Sequence, residues 1–148
     1  MISFRFTRSP GQEPESGFDL GDMEIDGDQG SLTSIGHSPD QGMMIFLSLA
    51  LLLGGLARLE TKHRGSFSFG AVDSSFQVDF RVKKGAVAVS QGRRTVGRPP
   101  LTELYRAVLA AAEEFAAREL PKTPMDAGRE DLELSLSEFR QFLAAREG

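Results

Sequence analysis

Asp22-x-Glu24-x-Asp26-Gly27-Asp28 is the one string in this chain whose residue types and spacing could hold a metal ion. Hard cations need clustered carboxylate oxygens, and a calcium-binding EF-hand loop sets acids at positions one, three and five with glycine at six. Here position three is Glu24, position twelve is Thr33 where a bidentate glutamate is needed, and no helix pattern precedes the string. It reads better as a strand with acidic outward side chains, because residues two apart share a face. No metal and no cofactor are expected.

Groups for covalent or acid–base chemistry are sparse. The chain has no cysteine, which excludes disulfides and thiolate sites and is compatible with a reducing, cytoplasmic location. Its two histidines, His37 and His63, flank one apolar stretch and would stand about 39 Å apart on a straight helix, too far to share a site. Neither belongs to a Ser-His-Asp or two-histidine metal arrangement. Glu113-Glu114 falls on adjacent helical faces and reads as a solvated surface. The glycines near residues 65–70 and 92–97 lack the lysine and the strand-to-helix setting of a phosphate loop. No catalytic residue is assigned, and the balance leans away from an enzyme.

Charge is more informative. The net charge is −4, but residues 1–57 hold two basic and eight acidic side chains, residues 58–98 nine and three, and residues 99–148 six and ten. Arg81, Lys83, Lys84, Arg93, Arg94 and Arg98 could track phosphates from a hairpin. Phe76 and Phe80 lie on the opposite parity, however, so aromatics for base stacking are missing from that face.

These groups must be positioned by elements that the hydropathy pattern outlines. Met43 to Ala57 carries no charge, yet fifteen helical residues rise only about 22 Å, short of the roughly 30 Å hydrocarbon core of a membrane. A buried helix from about Pro39 to Arg64 is expected, opened by a Ser38–Gln41 capping box and stopped at Gly65. Ile45, Leu49, Leu52, Leu53, Leu56 and Leu59 form its bulky face. Ala50, Gly54, Ala57 and Thr61 form a small-residue face that another backbone, from the C-terminal helices or a second subunit, should approach. The N-terminal residues lack the continuous apolar core of a secretory signal.

Alternation of apolar and polar residues predicts strands at Ile2–Phe6, Asp22–Asp26, Leu32–Ile35, Phe67–Phe69, Phe76–Lys83, Ala86–Ser90 and around Arg94–Val96. Lys83-Lys84-Gly85 signals a hairpin. Pro99-Pro100 precedes a helix reaching Leu120, Lys122–Glu130 reads as a linker, and Ser135–Glu138 as a capping box opening a short last helix. The whole, 1–148, reads as a single α+β domain. It has one antiparallel sheet of about five to six strands packed on a long central helix, followed by two C-terminal helices, in the order β-β-α-β-β-β-α-α.

The expected function is that of a small non-catalytic protein that binds another protein. An acidic surface at Asp22, Glu24, Asp26 and Asp28 would suit an immunity- or antitoxin-type inhibitor of a basic toxin or enzyme. The alternatives are a nucleic-acid-binding protein using Arg81, Lys83, Lys84, Arg93 and Arg94 on the 81–98 hairpin, and an enzyme with an unrecognised site. Nucleic acid is the less favoured partner, a membrane is not expected, and a homodimer through the small-residue helix face is a further expectation.

Overall fold

A computed structural model describes residues 1–147. The alternating N-terminal segment forms β1 (Ser3–Arg8), which pairs antiparallel with β2 (Leu20–Gly27). The other side of β2 pairs at its end with β3 (Gly30–Thr33) and at its start with β4 (Met43–Met44). The strict alternation sends Phe4, Phe6, Met23, Ile25 and Leu32 inward, all buried. After the helix α1 (Ile45–Ala57), the chain runs as an antiparallel meander of β5 (Ser66–Gly70), β6 (Gln77–Lys83), β7 (Ala86–Gln91) and β8 (Arg94–Gly97). Lys84 at φ 52° and Gly85 at φ 79° make the tight turn between β6 and β7, matching the left-handed pair that a twisted two-residue hairpin demands.

The α+β class and the antiparallel pairing hold, but the single sheet of five to six strands does not. There are two four-stranded sheets, and the order is four strands, a helix, four strands and two helices. The sheets meet at the β2–β3 turn, where Gln29 N–H donates to Val96 O at 2.8 Å. Gly27 lies so close to the Val96 carbonyl that any Cβ there would overlap it, so the turn abuts β8 without extending a ladder.

The central helix is also shorter than the 39–64 expected. Asp40, not Ser38, satisfies the local backbone: its Oδ1 accepts from Gly42 N–H at 2.9 Å, and Ser74 Oγ donates to Gln41 O at 2.7 Å. Residues 38–42 are thereby held in a bend and irregular backbone, the Ser38–Gln41 box does not form, and Met43–Met44 is extended along Leu20–Gly21. At the other end the Glu60 carboxylate accepts from the N–H groups of Lys62 and His63, folding 61–64 into turns well before Gly65.

α2 (Leu101–Glu119) follows the expected stripe, with Leu104, Tyr105, Val108, Ala112, Phe115 and Ala116 buried. A 3₁₀ turn at Leu120–Lys122 leads into α3 (Ala127–Glu147). The expected linker and the Ser135 cap are therefore corrected: α3 begins eight residues before Ser135. Its start is fixed by Asp126, whose Oδ1 accepts from Arg129 N–H at 3.0 Å. α3 packs on α1, but the expected close backbone approach to the small-residue face is not made. Ala50, Gly54 and Ala57 line a groove beside α3, and the atoms nearest a Cβ on Gly54 belong to the Arg58 side chain. One hydrophobic core runs from Ile2 to Leu143.

Among the described residues, no helix is long and apolar enough to cross a membrane. The paired glycines of α1 have opposite tasks. Gly55 lies under the Phe67 ring, and a Cβ would overlap it, whereas a Cβ on Gly54 would meet only the movable Arg58 guanidinium at 3.4 Å. Urea unfolding should therefore show Gly55→Ala losing about 1–3 kcal/mol through overpacking. Gly54→Ala should gain up to about 1 kcal/mol from helix propensity. Equal effects at the two sites would contradict this packing.

Candidate functional site

The outer face of the first sheet is polar along β1, β3 and the middle of β2, while exposed Leu20 and its partner Met44 give it an apolar end. The register aligns Ser3, Asp26 and Ser31 in one row, Arg5, Glu24 and Thr33 in the next, and Thr7 with Asp22 in the third. Asp22, Glu24 and Asp26 are thus brought together, with Arg5 the cation opposite Glu24. Ser34 Oγ donates to Asp22 at 2.8 Å while accepting the N–H of Met23, and Ser31 Oγ donates to Asp26 at 2.5 Å. Hydroxyl donors orient these carboxylates without neutralising them. Asp28 stands apart in the β2–β3 turn, bound by the Met1 amino group at 2.5 Å and near Arg98, Pro99 and Glu103. Among the described residues, no three His, Cys, Asp or Glu side chains are grouped to hold a metal ion.

The outer face of the second sheet is a shallow trough of about 480 Å³. Its floor is small: Ala86, Ala88, Ser90 and Thr95, set opposite Lys83, Arg81 and Asp79 by the register. Arg81, Lys83, Lys84 and Arg98 line it. Arg93 and Arg94 do not join them. Arg93 lies in the β7–β8 turn, and Arg94 reaches the β2–β3 turn, its Nη2 3.4 Å from where a Cβ on Gly30 would stand. Among the described residues, none of the nine Lys and Arg between 58 and 98 has a carboxylate at ion-pair distance. Five of the eight elsewhere do. The basic segment is uncompensated by its own protein.

One polar constellation was missed by sequence reasoning. The Arg8 side chain is only 7% exposed and stands over the Phe46 ring, 5.3 Å from its centroid. It donates to Glu15 and, through Nη2, to Thr123 Oγ1 at 2.6 Å; its Nε lies 3.5 Å from Asp19 and 3.6 Å from Glu119. Arg118 completes the cluster, donating to Glu119 at 2.9 Å and to the Phe6 carbonyl at 2.7 Å. A signal for this was present. Arg8 continues the inward parity of Ile2, Phe4 and Phe6, and Glu119 continues the buried stripe of Ala112, Phe115 and Ala116. An inward arginine on a strand and an inward glutamate on a helix require each other. The cluster borders a cavity of about 300 Å³ lined by Gln12, Glu13 and Lys122. Each of its buried carboxylates faces a guanidinium, an arrangement suited to clamping elements rather than to transferring protons.

Asp126 extends this clamp. Burial would raise its pKa, but N–H bonds from Arg129 and Gly17 and the Ser16 hydroxyl outweigh that and hold it below the ordinary aspartate value. Tyr105 is buried among Phe139, Phe142 and Arg146, with its hydroxyl unpartnered; burial raises its pKa, against the opposing charge of Arg146. His37 is exposed, its Nε2 2.7 Å from Thr33 O, and His63 is exposed in the turn after α1. Between α1 and α3 runs a groove of about 550 Å³, lined by Ala50, Gly54 and Ala57 on one side and Asp131, Ser135 and Glu138 on the other.

No protein-family model matches this chain, and no significant match is found among curated proteins or solved structures.

Two outcomes test the clamp. Arg8→Ala removes the cation from buried carboxylates and should cost about 3–5 kcal/mol in urea unfolding; a loss below 1 kcal/mol would contradict it. Asp126 has its folded-state pKa depressed, so its stabilisation is present above the ordinary aspartate value of about 3.9 and is lost as pH falls through the lower folded value. Wild type should exceed Asp126→Asn in stability near neutrality, with the gap closing in acid.

Proposed function

We propose that this is a small non-catalytic protein that works by binding another protein, with the outer face of its first sheet as the docking surface for a basic partner. The observation that carries the reading is the alignment of Asp22, Glu24 and Asp26 on one sheet face where Arg5 is the one aligned cation. Three carboxylates at strand spacing, two of them (Asp22 and Asp26) oriented by serine hydroxyls, present a surface potential to a cationic patch. An immunity- or antitoxin-type inhibitor covering the basic cleft of a toxin is the finer form of this proposal. A cytoplasmic site of action belongs with it. Asp28, at the turn, lies at the rim of the surface.

A second reading has its own support. The trough on the second sheet gathers Arg81, Lys83, Lys84 and Arg98 around one carboxylate, Asp79, which is at ion-pair distance from none of them. A phosphate backbone would supply the missing counter-charge. The absence of an aromatic from the trough lining argues for backbone contact without base stacking.

The test begins with recovery and identification of the native partner. Its association rate is then compared between wild type and the Asp22→Asn/Glu24→Gln/Asp26→Asn/Asp28→Asn variant, at low and high salt. The rate should fall about tenfold or more on neutralisation and lose most of its salt dependence. A rate indifferent to both changes would overturn the acidic-face reading. Titration with single- and double-stranded DNA and RNA decides the second reading, which requires low-salt binding that Lys83→Glu/Lys84→Glu abolishes.

A further inference from the structure

Strand edges carry unpaired N–H and C=O groups, and folds usually cover them. Here most are covered. The outward edge of β1 is capped by α2 side chains: Arg118 Nη2 donates to Phe6 O at 2.7 Å, and Ile2 N–H donates to Glu103 Oε2 at 3.1 Å. β8 receives Gln29 N–H at Val96 O, and β4 places Met44 N–H on Val72 O at 3.0 Å.

β5 is different. Val82 N–H donates to Gly65 O at 2.8 Å, and Ala71 N–H donates to Phe76 O at 3.0 Å. With the register Phe67↔Phe80 and Phe69↔Val78, these bonds mark the odd-numbered residues as the hydrogen-bonded pairs with β6. Ser66, Ser68 and Gly70 therefore aim their N–H and C=O groups away from the sheet. All three residues are exposed, and nothing lies within 4 Å of where a Cβ on Gly70 would stand. Among the described residues, no strand pairs with that edge.

The surroundings select an occupant. Lys62, His63 and Arg64 lie exposed just before β5, Arg81 is the cross-strand neighbour of Ser66, and none of them is ion-paired. On the sheet's other face Phe67 is only half-buried, with its ring resting on Gly55 and stacked on Phe80. Two carboxylates lie among the cations, Asp79 bound by Ser68 Oγ and Glu60 bound by the Lys62 and His63 N–H groups. An added strand would thus meet one face with four cationic or titratable basic side chains to two acids, and an open aromatic flank on the other.

We propose that β5 is a docking edge for an extended segment of another protein, of alternating acidic and apolar residues, that adds to the second sheet as a fifth strand. Main-chain bonds to Ser66, Ser68 and Gly70 hold the segment, and its acidic side chains face Arg81 and the Lys62–Arg64 turn. This surface is separate from the acidic face of the first sheet and calls for a partner of opposite sign.

The test uses the full chain with short blocked peptides of alternating valine and glutamate or valine and lysine. Binding is read by fluorescence anisotropy and by amide hydrogen exchange. The Val/Glu peptide should bind at least about tenfold more tightly than the Val/Lys peptide and slow exchange at Ser66, Ser68 and Gly70. Ser68→Pro removes an outward donor without breaking a ladder bond, so it should fold normally and lose the peptide. Arg64→Glu/Arg81→Glu should invert the preference between peptides. Equal binding to Ser68→Pro and wild type would show attraction by charge alone and overturn strand addition, as would binding without protection of the three amides. A wild-type dimer in sedimentation that Ser68→Pro disperses would give the edge to a second copy and overturn the proposal. The exchange pattern on wild type decides the question if Ser68→Pro does not fold.

Discussion

Everything in this fold is arranged around the need to bury α1. The helix has thirteen residues, none charged, and nine of them are buried. An amphipathic helix can rest on one layer and show its other side to water; a helix that is apolar nearly all round cannot. Two sheets and α3 therefore converge on it, and the sheets' phenylalanines and valines supply the contact. Gly55 allows Phe67 to lie directly on the helix, and Ser48, the buried hydroxyl, is satisfied by donation from Val72 N–H at 2.9 Å. Splitting the strands into two sheets is a consequence of this. A single sheet covers one side of a helix, and the remaining apolar side chains would have stayed wet.

Burial on that scale makes the layers easy to slide, because dispersion and hydrophobic contacts are nondirectional. The Arg8 cluster supplies direction at one end of the molecule. It joins β1, the 9–19 loop, the end of α2 and the 3₁₀ turn through one guanidinium, and Asp126 joins the same loop to α3. Ion pairs of this kind add little net stability over an apolar replacement of the same shape. Their geometry is demanding, however: a shift of β1 by one residue would aim Arg8 at solvent and Thr7 at Phe46. The cluster is best understood as fixing register and layer position.

Local pattern was legible in the sequence, and long-range pairing was not. Most strands announced by alternation formed where expected, because a half-buried strand has to alternate. The one expected at Leu32–Ile35 lies two residues earlier, at Gly30–Thr33, set by the two-residue turn after β2. The type I′ turn at Lys84-Gly85 and the stripe of α2 are equally local. The helix ends failed for a specific reason: serine, aspartate and glutamate can each satisfy a nearby N–H, and which one does depends on contacts elsewhere. Asp40 prevailed over Ser38 because Ser74, more than thirty residues on, holds the Gln41 carbonyl. The Ser135-x-x-Glu138 string lies inside α3 because Asp126, tied to Gly17, opened the helix first. Among the candidate sites, Asp22, Glu24 and Asp26 share a face by simple parity, whereas Arg93 sits in the β7–β8 turn and Arg94, opposite Gln91, falls on the other parity from Thr95 and the trough floor.

The same economy of faces narrows where recognition can occur. Both inner sheet faces are consumed by α1 and the helices, and the outward edge of β1 is consumed by α2. Among the described residues, the surfaces left open to a partner include two outer faces, one mainly acidic and one mainly basic, the β5 edge and the groove beside α3. The opposite signs of the two faces are unlike those of a mixed solvated surface, where cations and anions interleave and pair. Among the described residues, pairing falls in the helices, the Arg8 cluster and the Met1–Asp28 contact, while the cations of residues 58–98 have no carboxylate at ion-pair distance although Asp79 lies among them, held by Ser68 Oγ at 2.7 Å. A fold that pairs most of its charges elsewhere and leaves one sheet face predominantly basic beside an unpaired strand edge has two independent means of holding the same extended acidic chain. Charge would bring the segment near, and the main-chain groups of Ser66, Ser68 and Gly70 would set its register.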